Sequence, residues 1–202
     1  FNTAPDYETK TSYEVVITAA GTITNTEQVL TINVNNLNDN EPVFSSSATL
    51  SGDENQTDIG SVIATDADGD ALTYSVTGAN LSITSAGVLT FASAPDYETT
   101  TSYTGTVTVT DGLTPLTQDI TVNVNNLNDN DPIFTSDATF SANENQIAVG
   151  TVTGSDADGD SYTFTISGSE LAITSAGVLT FASAPDYETA TSYTATVTIT
   201  DG

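Results

Sequence analysis

The chain repeats itself with a period of 90 residues. The motif Pro-Asp-Tyr-Glu begins at Pro5, Pro95 and Pro185, and Asn-Asn-Leu-Asn-Asp-Asn begins at Asn35 and Asn125. Self-similarity at a fixed period is typical of arrays in which each copy is one structural unit. A chain of 202 residues therefore holds a little more than two copies of such a unit.

The register of the repeats predicts three segments. Residues 1–42 are the C-terminal part of one repeat, 43–132 form a complete repeat, and 133–202 form a repeat that lacks its last strand. A sandwich without an edge strand exposes unpaired backbone groups, so we interpret the sequence as a window from a longer array. Residues 1–42 contain the strand that the C-terminal repeat lacks, which leaves open homotypic, head-to-tail contacts by strand addition.

The complete repeat carries short strand-like segments rich in β-branched and aromatic residues, separated by clusters of Asn, Asp, Gly and Pro. No segment has a helical period. About seven short strands in 90 residues are typical of an all-β, immunoglobulin-like Greek-key sandwich. The predicted strands are Ile59–Thr65, Leu72–Thr77, Leu81–Thr84, Val88–Ala92, Tyr103–Thr110 and Gln118–Asn125.

The charge of the chain restricts its partners. One Lys, no Arg and 27 acidic residues give a formal net charge of −26. A chain without cationic surface cannot neutralise phosphates, which excludes nucleic acid and disfavours anionic membranes. Because Cys and His are absent, zinc and thiol chemistry are excluded as well. No apolar run reaches the length of a membrane span.

The acidic residues fall in the turns, in motifs such as Asp-Ala-Asp-Gly-Asp from Asp66 and from Asp156. Calcium takes about six to eight oxygen ligands, which carboxylates, amides and backbone carbonyls supply. An EF-hand is excluded because the twelfth position from Asp66 is Thr77 rather than Glu, and no helices flank the loop. Glycoside hydrolysis by paired carboxylates is disfavoured because the same acids recur in every repeat, so we expect no enzyme. The Thr-rich strands leave ice binding as a minor alternative.

These motifs, in this order, resemble the cadherin repeat over the entire chain. The resemblance implies cadherin-like sandwiches that hold Ca²⁺ between successive repeats. The residues implied at the first junction are Asp6, Glu8, Asn36, Asn38, Asp39, Asn40, Asp66, Asp68, Asp70 and Asp111. Those implied at the second are Glu54, Asp96, Glu98, Asn126, Asn128, Asp129, Asn130, Asp156, Asp158, Asp160 and Asp201. The same mapping places Glu144, Asp186 and Glu188 at the positions of Glu54, Asp96 and Glu98.

Two departures from the family pattern affect the expected site. Asn36 and Asn126 stand where the family has the first Asp of the linker, which removes a charge and weakens or deletes one ion. Tyr97 replaces the usual Arg between the two acids. The Glu counterpart of the first junction would precede Phe1, so we expect that junction to bind fewer ions or to bind them less tightly.

The resemblance implies a calcium-binding, adhesive or structural region of a large extracellular or cell-surface protein. Calcium would stiffen the array; alternatively, the repeats bind glycans or each other and calcium is only structural. The acidic, Lys-poor composition and near-identical repeats suggest a secreted bacterial adhesin.

Overall fold

The computed structural model describes residues 1–201. None of these residues is in a helix, as predicted for an all-β chain. The chain divides into two compact units, the first spanning Phe1–Asn125 and the second beginning at Asn126. In the described part of the chain, no helix is long and apolar enough to cross a membrane.

The first unit contains a hairpin followed by a complete sandwich. Its strands are β1 (Ser12–Ala20), β2 (Asn25–Asn33), β3 (Val43–Phe44), β4 (Thr49–Asp53), β5 (Asp58–Ser61), β6 (Ala64–Thr65), β7 (Thr73–Thr77), β8 (Leu81–Ile83), β9 (Val88–Phe91), β10 (Ser102–Thr110) and β11 (Pro115–Asn125). One sheet has the order β4-β11-β10-β7, and a second has the order β5-β9-β8. Antiparallel β1 and β2 form the hairpin.

The last strand of the complete repeat closes the sandwich. β11 pairs antiparallel with β10 and parallel with β4. Alternate residues of β11 point inward, so that Ile120, Val122 and Val124 are buried. They pack in one core with residues of the facing sheet such as Leu89 and Phe91. Burial of one face and solvation of the other is what the alternating sequence predicts.

The second unit is an incomplete version of the same sandwich. Its strands are β12 (Ile133–Phe134), β13 (Ala148–Thr151), β14 (Gly154–Ser155), β15 (Thr163–Ile166), β16 (Leu171–Ile173), β17 (Val178–Phe181) and β18 (Val197–Thr200). They form the sheets β12-β14, β13-β17-β16 and β15-β18. Residues 139–143, equivalent to β4, are described but form no strand.

One predicted strand was wrong in its extent. The segment Ile59–Thr65 is broken into β5 and β6, because the chain changes its pairing partner at Val62. β5 pairs with β9, whereas β6 pairs with β3. Between them the Val62 side chain is buried and its N–H donates to the Gly87 carbonyl. Two further strands, β3 and β4, were missing from the predicted set, and the others are confirmed to within a few residues.

We expect Gly87→Ala to destabilise the complete repeat by about 1–3 kcal/mol. Gly87 has a φ of +87°, and an added Cβ would lie 2.5 Å from the Val62 carbonyl oxygen. Gly60→Ala is the control, because its φ is also positive (+138°) but no atom lies within 4 Å of the added Cβ. Urea unfolding measures both variants. Equal losses of unfolding free energy in the two variants would show that the positive φ, and not the contact with Val62, determines the effect.

Candidate metal centre

In the first unit, the linker 36–40 is bound to the loop 66–70 through the carboxylate of Asp68. The backbone N–H groups of Asp39 and Asn40 donate to its Oδ2 at 3.0 and 2.8 Å. The side-chain amide of Asn40 donates to its Oδ1 at 2.8 Å. Hydrogen bonds to a charged acceptor are stronger than neutral ones, so this one carboxylate anchors the linker.

The side chain of Asn36 adds a bond that a carboxylate could not make. Its amide donates to the backbone carbonyl of Asp68 at 2.7 Å. The sequence predicted only the loss of a negative charge at Asn36 and did not predict its role as a hydrogen-bond donor to the loop. An amide both donates and accepts, whereas an ionised Asp only accepts. The sequence shows Asn at a linker position where the cadherin pattern has Asp. It does not reveal that the Asn36 amide has a backbone carbonyl as its acceptor.

The loop 66–70 is a tight turn that brings three carboxylates together. It directly follows β6, and the N–H of Asp70 donates back to Asp66 Oδ1 at 3.2 Å. Gly69 has a φ of +79°, a conformation that L side chains rarely adopt. Oxygens of Asp66, Asp68 and Asp70 lie within 4.8 Å of one another.

Asp68 belongs to a second carboxylate group as well. Oxygens of Glu8, Asp39 and Asp68 also lie within 4.8 Å of one another. Asp68 therefore connects an acid of the preceding repeat, the linker and the loop. Like charges at such distances destabilise a structure unless a cation or donors compensate them. We name Glu8, Asn36, Asn38, Asp39, Asn40, Asp66, Asp68, Asp70 and Asp111 together the linker cluster.

Three oxygens of the linker cluster are buried without a hydrogen bond from any residue in the range 1–201. They are Asn38 Oδ1, Asp66 Oδ2 and Asp111 Oδ2. Buried polar atoms are nearly always hydrogen-bonded, and an exception calls for a specific explanation such as an ion or a water. The three side chains come from the linker, from the loop and from the turn after β10. All three are oxygens of the kind that can act as ligands of a hard cation.

The electrostatics of the carboxylates agree with a site of concentrated negative charge. Desolvation raises the pKa of Asp68, but the hydrogen bonds from Asn40 and Asp39 lower it by more, so the net pKa is below its ordinary value. The pKa of Glu8 is above its ordinary value. The backbone N–H of Glu8 lowers that pKa, but desolvation and the charge of Asp68 outweigh it.

Asp111 lies in the turn between β10 and β11. Its Oδ1 accepts hydrogen bonds from the N–H groups of Leu113 and Thr114 at 2.8 and 3.0 Å. These bonds fix the carboxylate, and the Leu113 N–H makes the largest contribution to lowering the pKa of Asp111. The backbone carbonyl of Asp111 accepts a long hydrogen bond from the Asn38 amide at 3.4 Å. The turn therefore holds Asp111 against the linker.

Asp6 is engaged within its own turn. Its carboxylate accepts hydrogen bonds from the N–H and the hydroxyl of Thr9 at 3.2 and 2.9 Å. Asp96 makes the same two bonds with Thr99. Asp6 is not in the carboxylate group of Glu8, Asp39 and Asp68. The Thr three positions after each Asp was a signal in the sequence that our motif analysis did not use.

The second unit reproduces the same arrangement 90 residues later. Asp158 accepts hydrogen bonds from the N–H groups of Asp129 and Asn130 at 3.0 and 2.8 Å, and from the Asn130 amide at 2.9 Å. The Asn126 amide donates to the Asp158 carbonyl at 2.7 Å. Oxygens of Asp156, Asp158 and Asp160 lie within 4.8 Å of one another, and Asp156 Oδ2 is buried without a hydrogen bond from the described residues. Asn128 is exposed and Asp201 is half-buried.

Each unit also carries a further group of acids. In the first unit, Glu54 is buried, accepts a hydrogen bond from the Tyr97 N–H at 2.7 Å, and has an oxygen within 4.8 Å of one of Glu98. In the second, oxygens of Glu144, Asp186 and Glu188 lie within 4.8 Å of one another.

Known proteins resemble both the sequence and the fold of this chain. Over 96 residues it is 38% identical to mouse cadherin-related family member 2, a match that covers 45% of the chain and 7% of that protein. The human desmocollin-1 ectodomain superposes with a TM-score of 0.81 at 22% identity, over 98% of this chain and 45% of that one. The repeats are cadherin-like. No protein-family model matches the chain.

Two further structures agree with this cadherin-like fold. Repeats 22–24 of mouse cadherin-23 match with a TM-score of 0.66 at 21% identity, over 99% of this chain and 72% of that one. Domains 3–6 of protocadherin gamma B2 match with a TM-score of 0.71 at 23% identity, over 90% of this chain and 53% of that one. These neighbours are extracellular domains rather than enzymes. The chain spans less than a tenth of the curated relative and about half of the desmocollin ectodomain.

We expect Asp68→Asn to loosen the linker even without metal. Only one of its two side-chain oxygens would remain to accept the three hydrogen bonds from Asp39 and Asn40. Amide hydrogen exchange at those two residues, followed by NMR in a chelator, should accelerate about tenfold or more. Asp70→Asn makes the same change of charge in the same loop and serves as the control. Unchanged exchange in Asp68→Asn would contradict the anchoring role.

Proposed function

We propose that this chain is a calcium-binding region of an extracellular cadherin-like array, in which Ca²⁺ holds neighbouring repeats in a fixed orientation. The observation that carries the proposal is the set of three buried oxygens, at Asn38, Asp66 and Asp111, that accept no hydrogen bond from residues 1–201. Asn38 belongs to the linker itself, the backbone carbonyl of Asp111 accepts a hydrogen bond from the Asn38 amide, and Asp66 lies in the loop whose Asp68 accepts three hydrogen bonds from the linker.

The chemistry of the ligands favours calcium over other metals. The linker cluster offers carboxylate, amide and backbone carbonyl oxygens only, and the chain contains no His and no Cys. Hard cations such as Ca²⁺ prefer such ligands and accept irregular geometry with about six to eight oxygens. Mg²⁺ requires a near-octahedral site and retains water. A set of several carboxylates with additional neutral oxygens fits the larger ion.

Within the first unit, Asp66, Asp68 and Asp111 would bind the ion from the later repeat. Glu8 would bind it from the earlier repeat, and Asn38 and Asp39 from the linker. A cation shared between these parts would replace repulsion between carboxylates with attraction to a common centre. The linker would then lose its freedom to bend, because the repeats on both sides of it would be ligands of the same ion.

By repeat equivalence we propose the same role for Asp156 and Asp158, with Asn128, Asp129 and Asp201. The acids Glu54, Asp96 and Glu98 occupy the sequence positions that supply a cadherin junction from its preceding repeat. Glu54 is nearly fully buried, and an ionised group in that position is costly unless it is paired.

An extracellular location follows from this proposal. Calcium modules of extracellular proteins bind with dissociation constants of roughly 10⁻⁴ to 10⁻³ M, which suits calcium-rich surroundings. Cell adhesion is the role we propose for the whole array. A bacterial source stays a prediction that the relative named above does not support, since it is a mouse protein. A glycan partner stays a prediction as well.

Isothermal titration of the chelator-treated chain tests calcium binding. We expect several ions to bind, and Asp66→Asn to lose a subset of them or to weaken their binding about tenfold or more. Asp58→Asn is the matched control, because Asp58 is an exposed acid of β5 outside the linker cluster. If the two variants titrate alike, or if no ion binds below about 10 mM, the proposed site is wrong.

A further inference from the structure

Both linkers begin with an asparagine whose side-chain amide is bonded to the loop of the following repeat. The Asn36 amide donates to the backbone carbonyl of Asp68 at 2.7 Å. The Asn126 amide donates to the backbone carbonyl of Asp158, also at 2.7 Å. The first linker follows residues 1–42 and the second follows the complete repeat, yet the bond is the same in both. It is therefore a property of the repeat.

The chemistry of the acceptor decides which residue can make this bond. A backbone carbonyl only accepts hydrogen bonds, so the atom that faces it at 2.7 Å must be the amide nitrogen of Asn36. An ionised Asp, which the cadherin pattern has at this position, only accepts as well and would be repelled by the carbonyl oxygen. Asn36 and Asn126 therefore give the two linkers an attachment that the family pattern does not provide.

The bond from Asn36 is separate from the bonds at the other end of the linker. The Asp39 and Asn40 N–H groups donate to the carboxylate of Asp68, whereas Asn36 donates to the backbone carbonyl of the same residue. Asp68 is only 9% exposed, and a buried carbonyl that loses its partner costs free energy. Both ends of the linker are thus attached to one residue, and each attachment keeps the other within reach.

The bond from Asn36 also differs from the others in charge, because it joins two neutral groups. The Asp68 carboxylate lies among like charges, with oxygens of Glu8 and Asp39 within 4.8 Å. Their mutual repulsion depends on bound cations and on salt. Neither changes the charge of an amide or of a backbone carbonyl. The Asn36 bond should therefore persist when no ion is bound.

We propose that Asn36 and Asn126 are positioning residues that hold each linker against its loop before any calcium ion binds. We call each of these two side-chain bonds a latch. The consequence for calcium rests on the proposed function. The apparent affinity of a site increases with the fraction of molecules already in the binding arrangement. The latch would thus compensate in part for the negative charge that Asn lacks relative to Asp.

Amide hydrogen exchange followed by NMR in chelator tests the latch without calcium. We expect Asn36→Ala to accelerate exchange of the Asp39 and Asn40 amides about three- to tenfold, as for the loss of one hydrogen bond. The Asp70 amide should keep its rate, because it donates to Asp66 within the loop. Unchanged exchange at Asp39 and Asn40 would overturn the latch.

The chain offers a matched control and an internal replicate. Asn35→Ala removes an exposed Asn next to Asn36 and should leave the exchange rates unchanged. Asn126→Ala should accelerate exchange of the Asp129 and Asn130 amides by the same factor as Asn36→Ala does in the first linker. Equal acceleration by Asn35→Ala and Asn36→Ala would show that any truncation loosens the linker, and the proposal would be wrong.

Asn36→Asp separates the lost donor from a change of size. It has almost the shape of Asn but cannot donate when ionised, so exchange in chelator should accelerate at least as much as in Asn36→Ala. The acceleration should persist in about 1 M salt, where charges are screened beyond about 3 Å. If Asn36→Asp exchanges like the parent chain, or if salt abolishes the acceleration, charge rather than the hydrogen bond controls the linker and the latch is refuted.

Isothermal calcium titration of Asn36→Ala tests the consequence for binding. We expect weaker binding of a subset of ions, by up to the factor that exchange shows in chelator. In excess calcium, exchange at Asp39 and Asn40 should equal that of the parent chain. Unchanged affinity in a variant with a loosened linker would contradict the role in calcium binding. If the parent chain itself binds no calcium, the proposed function fails, and exchange in chelator still decides whether the latch exists.

Discussion

The carboxylate of Asp68 is the interaction on which the arrangement of the linker depends. It accepts hydrogen bonds from two backbone N–H groups and one amide of the linker. It also lies within two separate groups of acids. The same negative charge that attracts the linker donors therefore repels Glu8, Asp66 and Asp70. A cation bound as proposed would resolve this conflict, because it would attract every carboxylate of the cluster.

The fold brings these carboxylates together at little cost in backbone conformational energy. The acids lie in turns, where Asp and Asn favour the backbone conformations required, and the strands between them carry the core. Asp111 occupies the turn from β10 to β11, and Asp66 follows β6 directly. The sandwich therefore determines the distance between the two turns, and a 90-residue repeat carries the same geometry to Asp156 and Asp158. Calcium would thus act on the linker rather than on the core.

The sequence predicted the class of fold and most of the strands because alternation and turn residues are local signals. Of the sheet β4-β11-β10-β7, the strands β7, β10 and β11 were predicted in this way, but β4 was not. The break between β5 and β6 could not, since it depends on a change of partner from β9 to β3 rather than on any residue in the segment. For the candidate site, the acids were identified by motif. The donor role of Asn36 and the bonds from Thr9 to Asp6 were not, because motifs describe residue types and not the direction of hydrogen bonds.

The most direct test of the account is the distance distribution between two spin labels across the first linker. The chain has no Cys, so Thr18→Cys and Thr104→Cys introduce labels at two exposed strand positions. Pulsed electron paramagnetic resonance would compare the protein in chelator with the protein in excess calcium. We expect a broad distance distribution in chelator that becomes narrow when calcium is added. Distributions of equal width in both conditions would contradict the claim that calcium stiffens the array.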